Sequence, residues 1–382
     1  MMKSKLNAAL FEVKKSAIRE FNKLAKSTPG CVSLTLGEPD FDTPEAVREA
    51  CASALRAGKT HYIENNGALS LRKAIAKFEA EKNGMDYAED EIILTIGATE
   101  ALFTVLFGIM NPGDEIIVPT PAFVLYESII GLCRGTFVPL DTTNAHFQIT
   151  REALKAVVTP RTKAIVINTP NNPTGTVLNM ESLNALREVA LENDLFVICD
   201  DVYRQLVYTE TYHSFAEFRE LRDRIIVVQS FSKPYAMTGW RVGYFMGDRP
   251  VMAELAKVHQ FAVVSTASMV QDACEVALSE DVTPMLETYK RRREYCLGRV
   301  RAMGLEVCEP EGAFYLFPSI ARFGLDSTTF CTRMVREAGL AATPGACFGS
   351  DAHIRLTYCY SDAQLKEGLD RLEKFIGILE KE

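Results

Sequence analysis

The sequence predicts an α/β fold built on a mostly parallel sheet, and three observations carry that expectation. From about Glu91 to Gly247, short β-branched runs alternate with longer amphipathic stretches, the pattern of strands joined by crossover helices. After Pro284 the alternation stops, and a long charged helical stretch, two strand patterns and a closing helix predict a second, smaller α+β domain. The chain has 382 residues, 47% apolar and 24% charged, which suits two or three folding units of ordinary globular character.

Taken in order, the predicted strands are Ile92–Ile96, Ile116–Val118, Thr136–Leu140, Ala164–Ile167, Leu195–Cys199, Ile225–Val228 and Val242–Met246. Between them, Glu100–Ile109 and Glu181–Glu192 are long enough to cross back over the sheet. The later part reads as a helix through Met303, strands near Ala313–Phe317 and Ile354–Tyr358, and a helix from Asp362. No internal repeat or Gly/Ser linker marks a boundary. The division is placed at 1–46 for an N-terminal arm with part of the small domain, 47–281 for the large domain and 282–382 for the C-terminal small domain.

Composition removes several function classes. Lys plus Arg is 42 and Asp plus Glu is 50, so the net charge of −8 offers no general affinity for nucleic acid. The most apolar stretch, Ala122 to Leu140, is interrupted by Glu127 and Arg134, which argues against a membrane span. Lys3, Lys5, Glu12, Lys14 and Lys15 break the N-terminal apolar pattern too early for a signal peptide. Ten scattered cysteines without a Cys-x-x-Cys pair point to reduced thiols in a cytoplasmic protein rather than a zinc or iron–sulfur site, so no metal is expected. Gly58-Lys59-Thr60 resembles the end of a phosphate-binding P-loop, but Ser53 stands where its first glycine belongs. Gly-x-Gly-x-x-Gly, His-Glu-x-x-His and Gly-x-Ser-x-Gly are all absent, leaving nicotinamide, zinc-protease and serine-hydrolase readings without an anchor. A small-molecule partner is expected.

The residues that carry chemistry follow the predicted strands. Ser230-Phe231-Ser232-Lys233 comes directly after Ile225–Val228, with Arg241 eight residues beyond the lysine. Ligands bind at the carboxyl edge of open α/β sheets, and a partly desolvated lysine there can form a Schiff base. Alone, Lys233 reads more readily as a surface lysine in a turn, and it does not stand alone. Asp200 ends Leu195–Cys199 and is followed by Tyr203, so a carboxylate and a phenol reach the same edge. An aspartate beside a pyridine nitrogen keeps it protonated, though Asp200 is also a natural helix cap. Gly97-Ala98-Thr99 joins Ile92–Ile96 to the next helix, whose N-terminal amides favour a phosphate. An ordinary turn with a threonine cap fits the same residues. Asn171-Asn172-Pro173-Thr174-Gly175 is either turn chemistry or an amide, Asn172, at the ligand edge.

Together these segments resemble the fold-type I, pyridoxal-phosphate-dependent class I aminotransferases, from Gly37-Glu38-Pro39-Asp40-Phe41 to Ile354-Arg355-Leu356. The resemblance implies that the large domain binds pyridoxal 5'-phosphate, with Lys233 attached to it covalently, Asp200 on the ring nitrogen, and Asn172 and Tyr203 on the phenolic oxygen. It implies that Gly97, Ala98, Thr99, Ser230, Ser232 and Arg241 surround the phosphate, and that Phe123 covers the ring where the family often has tryptophan or tyrosine. Arg355 would clamp the substrate α-carboxylate with help from Asn172 and Gly37, while Tyr62 would reach the neighbouring subunit's phosphate in a homodimer with shared active sites. The implied activity moves an amino group from an L-amino acid to a 2-oxo acid. Two rivals are a pyridoxal-phosphate β-lyase, which shares the cofactor residues, and the ligand-sensing half of certain transcription regulators, which carry an extra DNA-binding segment.

For the donor, strict aspartate aminotransferases use a second arginine, yet Val258–Ser265, where it would be sought, contains none. That segment and Pro310–Pro318 resemble bacterial aromatic amino acid and N-acetyl-diaminopimelate aminotransferases. Phe123, Tyr126 and Phe261 either line an apolar side-chain pocket or are ordinary core; on the first reading, phenylalanine or tyrosine is expected to be used with 2-oxoglutarate at least as efficiently as aspartate, with N-acetyl-diaminopimelate as the main alternative donor.

Overall fold

The computed structural model describes residues 5–13 and 17–382; Lys3, Lys14 and Lys15 of the signal-peptide argument lie outside them. Seven strands form the large sheet: β1 (Ile92–Thr95), β2 (Glu115–Thr120), β3 (Thr136–Asp141), β4 (Thr162–Asn168), β5 (Phe196–Asp200), β6 (Ile225–Ser230) and β7 (Gly243–Gly247). Their spatial order is β1-β7-β6-β5-β4-β2-β3. Only β7 runs antiparallel to its neighbours. All seven predicted strands are present, with ends displaced by at most two residues.

Burial explains why those strands read as unbroken apolar runs. Ile165 and Ile167 of β4 and Val197 and Cys199 of β5 feed one hydrophobic cluster, while Ala164, Val166 and Ile198 between them feed another on the opposite face. Helices cover both faces, so every position is apolar rather than every second one. Met180–Asn193 lies on the first face and Gly97–Ile109 on the second.

The smaller region has its own core. Thr343–Pro344, Ile354–Thr357 and Tyr315–Leu316 form a three-stranded antiparallel sheet, and Val32–Ser33 pairs with Leu340–Ala341. The helices Thr283–Ala302, Ser327–Ala338 and Asp362–Leu379 pack against them. Leu34 is buried in this C-terminal core and Phe41 packs against it, so the segment after the N-terminal helix Ala17–Ser27 becomes a strap between the two regions. Arg292 holds the strap with two hydrogen bonds to Asp40, at 2.7 and 2.9 Å.

Parallel strands bring their ends to one edge. Asn168, Asp200 and Ser230 are the last residues of β4, β5 and β6, and Asn168 stands opposite Asp200 in the ladder. The helix after β1 begins at that edge too, because β1 and β6 both run against β7. Among the described residues, no helix is long and apolar enough to cross a membrane, and no group of three or more His, Cys, Asp or Glu side chains is placed to hold a metal ion.

Candidate active site

A cavity of about 360 Å3 lies over this edge, walled on one side by the strand ends and on the other by the strap and Arg355. Lys233 enters it from the turn after β6, and its Nζ donates to Gly37 O at 2.6 Å. Burial brings its amine down from 10.5 to about 8; the Arg355 and Arg241 guanidiniums add to that, against the opposing pull of Cys359 and Glu38. An amine so placed is neutral often enough near neutral pH to act as a nucleophile or base.

Asp200 is 4% exposed, and Tyr126 Oη donates to its Oδ2 at 2.6 Å. Its Oδ1 is buried without a partner in the protein. Burial raises this carboxyl to about 6, opposed mainly by the Tyr126 hydrogen bond. Buried polar atoms are nearly always paired, so an unpaired carboxylate oxygen beside a cavity marks a place for a donor from a ligand. Tyr203 donates to or accepts from Tyr315 Oη at 2.7 Å, and both phenols are pushed up by burial, Tyr315 to about 12.

One end of the cavity is suited to an anion. Gly97-Ala98-Thr99 is not a turn ahead of the helix, as expected, but its first turn, and these early amides have no carbonyl partner within the helix. Gly97, at φ +72°, admits the neighbouring guanidinium: a Cβ there would lie 2.6 Å from Arg241 Nη2. The Ser230 hydroxyl donates to Ser232 Oγ at 2.9 Å, which gathers two more hydroxyls at this end.

The opposite end holds Arg355, 3% exposed and sandwiched between the Tyr315 and Phe348 rings at 4.6 and 4.8 Å. Its Nη1 donates to Asn172 Oδ1 at 2.8 Å and its Nη2 to Thr35 O at 2.6 Å, while Nε is buried and unpaired. Gly37 is required beside it, since a Cβ would lie 2.1 Å from Tyr315 Oη. The chemistry on offer is an amine with a lowered pKa, a free carboxylate oxygen, an aromatic face from Phe123 and an anion cradle. That set suits an anionic aromatic carbonyl compound, with Arg355 left for a carboxylate.

Of the residues singled out in the sequence, Gly37, Ala98, Thr99, Phe123, Asn172, Asp200, Tyr203, Ser230, Ser232, Lys233, Arg241 and Arg355 line the cavity. Gly97 stands behind Arg241, and Tyr62 is 89% exposed away from this chain's cavity. One expectation about the side-chain pocket is corrected for this chain's own cavity: Phe261 is 87% exposed near the end of helix Arg249–Val263 and does not line it, whereas Tyr126 is in the wall, its hydroxyl donating to Asp200. Sequence reasoning missed Asn22 and Tyr315, which reach the cavity from the N-terminal helix and the small sheet. Neither follows a strand of the large sheet, so no local pattern marked them.

Residues 29–372 match the family described as aminotransferase class I and II. The chain is 38% identical over 381 residues to a probable N-acetyl-LL-diaminopimelate aminotransferase of Bacillus subtilis, covering 98% of this chain and 96% of that one. It is 35% identical to an aromatic-amino-acid aminotransferase of Thermococcus litoralis, covering 97% and 98% of the two chains. The solved aspartate aminotransferase of Thermotoga maritima superposes with a TM-score of 0.94 at 36% identity, over 97% of this chain and 100% of that one. With strand order, site and relatives in agreement along nearly the whole chain, this protein belongs to the class I aminotransferases of fold-type I, enzymes that transfer amino groups.

Proposed function

We propose that this aminotransferase binds pyridoxal 5'-phosphate and moves an amino group from an L-amino acid, aromatic donors favoured, to 2-oxoglutarate in a ping-pong cycle. The observation that carries the reading is one cavity holding both the Lys233 amine, near pKa 8, and the unpaired Asp200 Oδ1. The residues fit the cofactor: Lys233 attaches it, Asp200 meets the ring nitrogen, Asn172 and Tyr203 face the phenolic oxygen, and Phe123 covers the ring. Ala98, Thr99, Ser230, Ser232 and Arg241, which Gly97 lets approach, take the phosphate. When bound, the cofactor supplies an electron sink for charge developing on the substrate α-carbon.

The chain's own residues do the rest. Arg355, with Asn172 and the Gly37 backbone, orients the substrate α-carboxylate, and its unpaired Nε adds a donor for that anion. Lys233 Nζ takes the proton from the α-carbon and returns it elsewhere, a task suited to an amine with a pKa near working pH. The strap carrying Gly37 holds the amine in place before substrate arrives.

Aromatic donors are supported by the lining. Its basic residues are Lys233, Arg241 and Arg355, each already assigned, while Leu36, Leu102, Leu125, Val202 and Phe123 are apolar. A side-chain carboxylate would be buried there without a further cation among the described residues of this chain. Aspartate and N-acetyl-diaminopimelate remain the alternatives that relatives' names raise. We further propose a homodimer in a reducing cytoplasm. Tyr62 and Phe261 are strongly exposed on segments joined by the hydrogen bond from His259 to Asn65 O, 2.8 Å, and such a face suits a partner whose site they enter.

Borohydride reduction of the cofactor-loaded enzyme is expected to place the adduct on the peptide containing Lys233; an adduct on another lysine defeats the assignment. Phenylalanine or tyrosine is expected to match or exceed aspartate in kcat/KM with 2-oxoglutarate. A preference for aspartate of about tenfold, roughly 1.4 kcal/mol of transition-state binding, would overturn the donor reading.

A further inference from the structure

We infer that Tyr126 is a positioning residue for the reaction: its phenol fixes Asp200 through Oδ2, leaving Oδ1 ionised and turned toward a ring nitrogen in the cavity. The inference rests on the cofactor reading above. Tyr126 is 2% exposed, on the first turn of helix Leu125–Leu132, and its ring meets that of Phe123 edge-on at 6.4 Å. Its hydroxyl reaches Asp200 at 2.6 Å, a charge-assisted length, and burial keeps the phenol protonated so that it always donates.

Without that donor the groups around Asp200 favour its neutral form. Asp200 is buried, which disfavours its charge, and Asp201, also buried, adds a negative charge from the next position. On the other side stand Tyr126 from its helix and the Val202 amide. Asn168 from β4 spends its amide on the Asp200 backbone oxygen, at 2.7 Å, not on the carboxylate. Asp201 is drawn away from the cavity by Ser214, at 3.1 Å, and by Arg204, at 3.4 Å, which is itself held by Glu79 through bonds of 2.7 and 2.6 Å. Two adjacent carboxylates are thus separated in role: each has a buried, unpaired Oδ1, but Asp201 is tied into an ionic network away from the cavity, while Asp200 keeps a single side-chain donor and is the one that lines the cavity.

A carboxylate that became neutral would no longer hold a proton on a pyridine nitrogen. A carboxylate free to rotate would lose its aim. Tyr126 prevents both through one hydrogen bond.

The test is a double-mutant cycle read as cofactor affinity of the cofactor-free protein. Tyr126→Phe keeps the ring and removes the hydroxyl, and is expected to weaken pyridoxal phosphate binding about tenfold, in the range of a lost charged hydrogen bond. In the loaded enzyme kcat should fall by a similar factor while KM for the donor changes less than about twofold. In an Asp200→Asn background the same change should cost less than about twofold, because the two act as a unit. Equal losses in both backgrounds, or a lowered Tm with unchanged cofactor affinity, overturn the inference. Should the phenylalanine variant not fold, Tyr126→His enters the same cycle, where an effect independent of Asp200 again overturns it. Failure of the unmutated protein to bind pyridoxal phosphate would instead overturn the cofactor reading, and this inference with it.

Discussion

At the sheet end of the cavity, Asn168, Asp200 and Ser230 close adjacent parallel strands, and Lys233 follows three residues after the last of them. At the carboxylate end, Arg355 lies on a strand of the small sheet and bonds Thr35 O, 320 positions away, and Asn172 Oδ1 in the large region, 183 positions away. The sheet end is aligned by ladder hydrogen bonds, before any ligand contact. The carboxylate end exists only because the strap and the C-terminal core are packed against the large sheet. On the proposed reading, cofactor chemistry falls to the sheet end and substrate recognition to the assembled one, and the two should fail in different ways when altered.

The sharpest separation comes from Asp200→Ala. It is expected to retain some cofactor yet lose turnover by roughly 100-fold or more, about 2.7 kcal/mol of transition-state stabilisation, because the proposed role is electronic. Measuring cofactor content beside kcat checks this; full activity would break the assignment of the sheet end. Arg355→Lys comes next. A lysine cannot reproduce the planar fork, so kcat/KM for the donor should drop about tenfold or more, while the cofactor dissociation constant stays put. A parallel loss of cofactor affinity would show that the ends are not separable.

The smallest effect concerns the cofactor-free protein. Lys233 has a folded pKa of about 8, below its ordinary 10.5, so between these values the folded chain carries fewer protons than the unfolded one. Stability attributable to this residue must then rise with pH across that window. Lys233→Met should raise Tm by about 2 °C at pH 7.5, and the gain should fade as pH approaches 10.5. A gain that does not depend on pH would mean that the amine is not desolvated in the empty site.

Much of the sheet end was legible because its residues occupy fixed places after apolar runs. Lys233, Asp200, Asn172 and Ala98-Thr99 each follow a strand that could be read from burial on both faces. For Phe261 the same logic could not tell this chain's own cavity, which it does not line, from a face offered to a partner. Tyr126 does stand in the cavity wall, but its bond to Asp200 was not legible, because spacing on a helix reveals which residues share a wall and not which atom a hydroxyl will reach. Asn22 gave no signal, since nothing near it in sequence announces a pocket.

By itself the sequence determined the strand set, the two-sided burial and the edge at which Lys233 and Asp200 emerge, since these depend on periodicity and on the parallel direction that crossover helices impose. The tertiary structure decided that Gly37 O receives the Lys233 amine, that Arg355 reaches Asn172 and Thr35, and that Asp200 and Asp201 part company. Those contacts join residues far apart in the chain or turn neighbours to different partners, and only the closing of two cores around one cavity sets such distances.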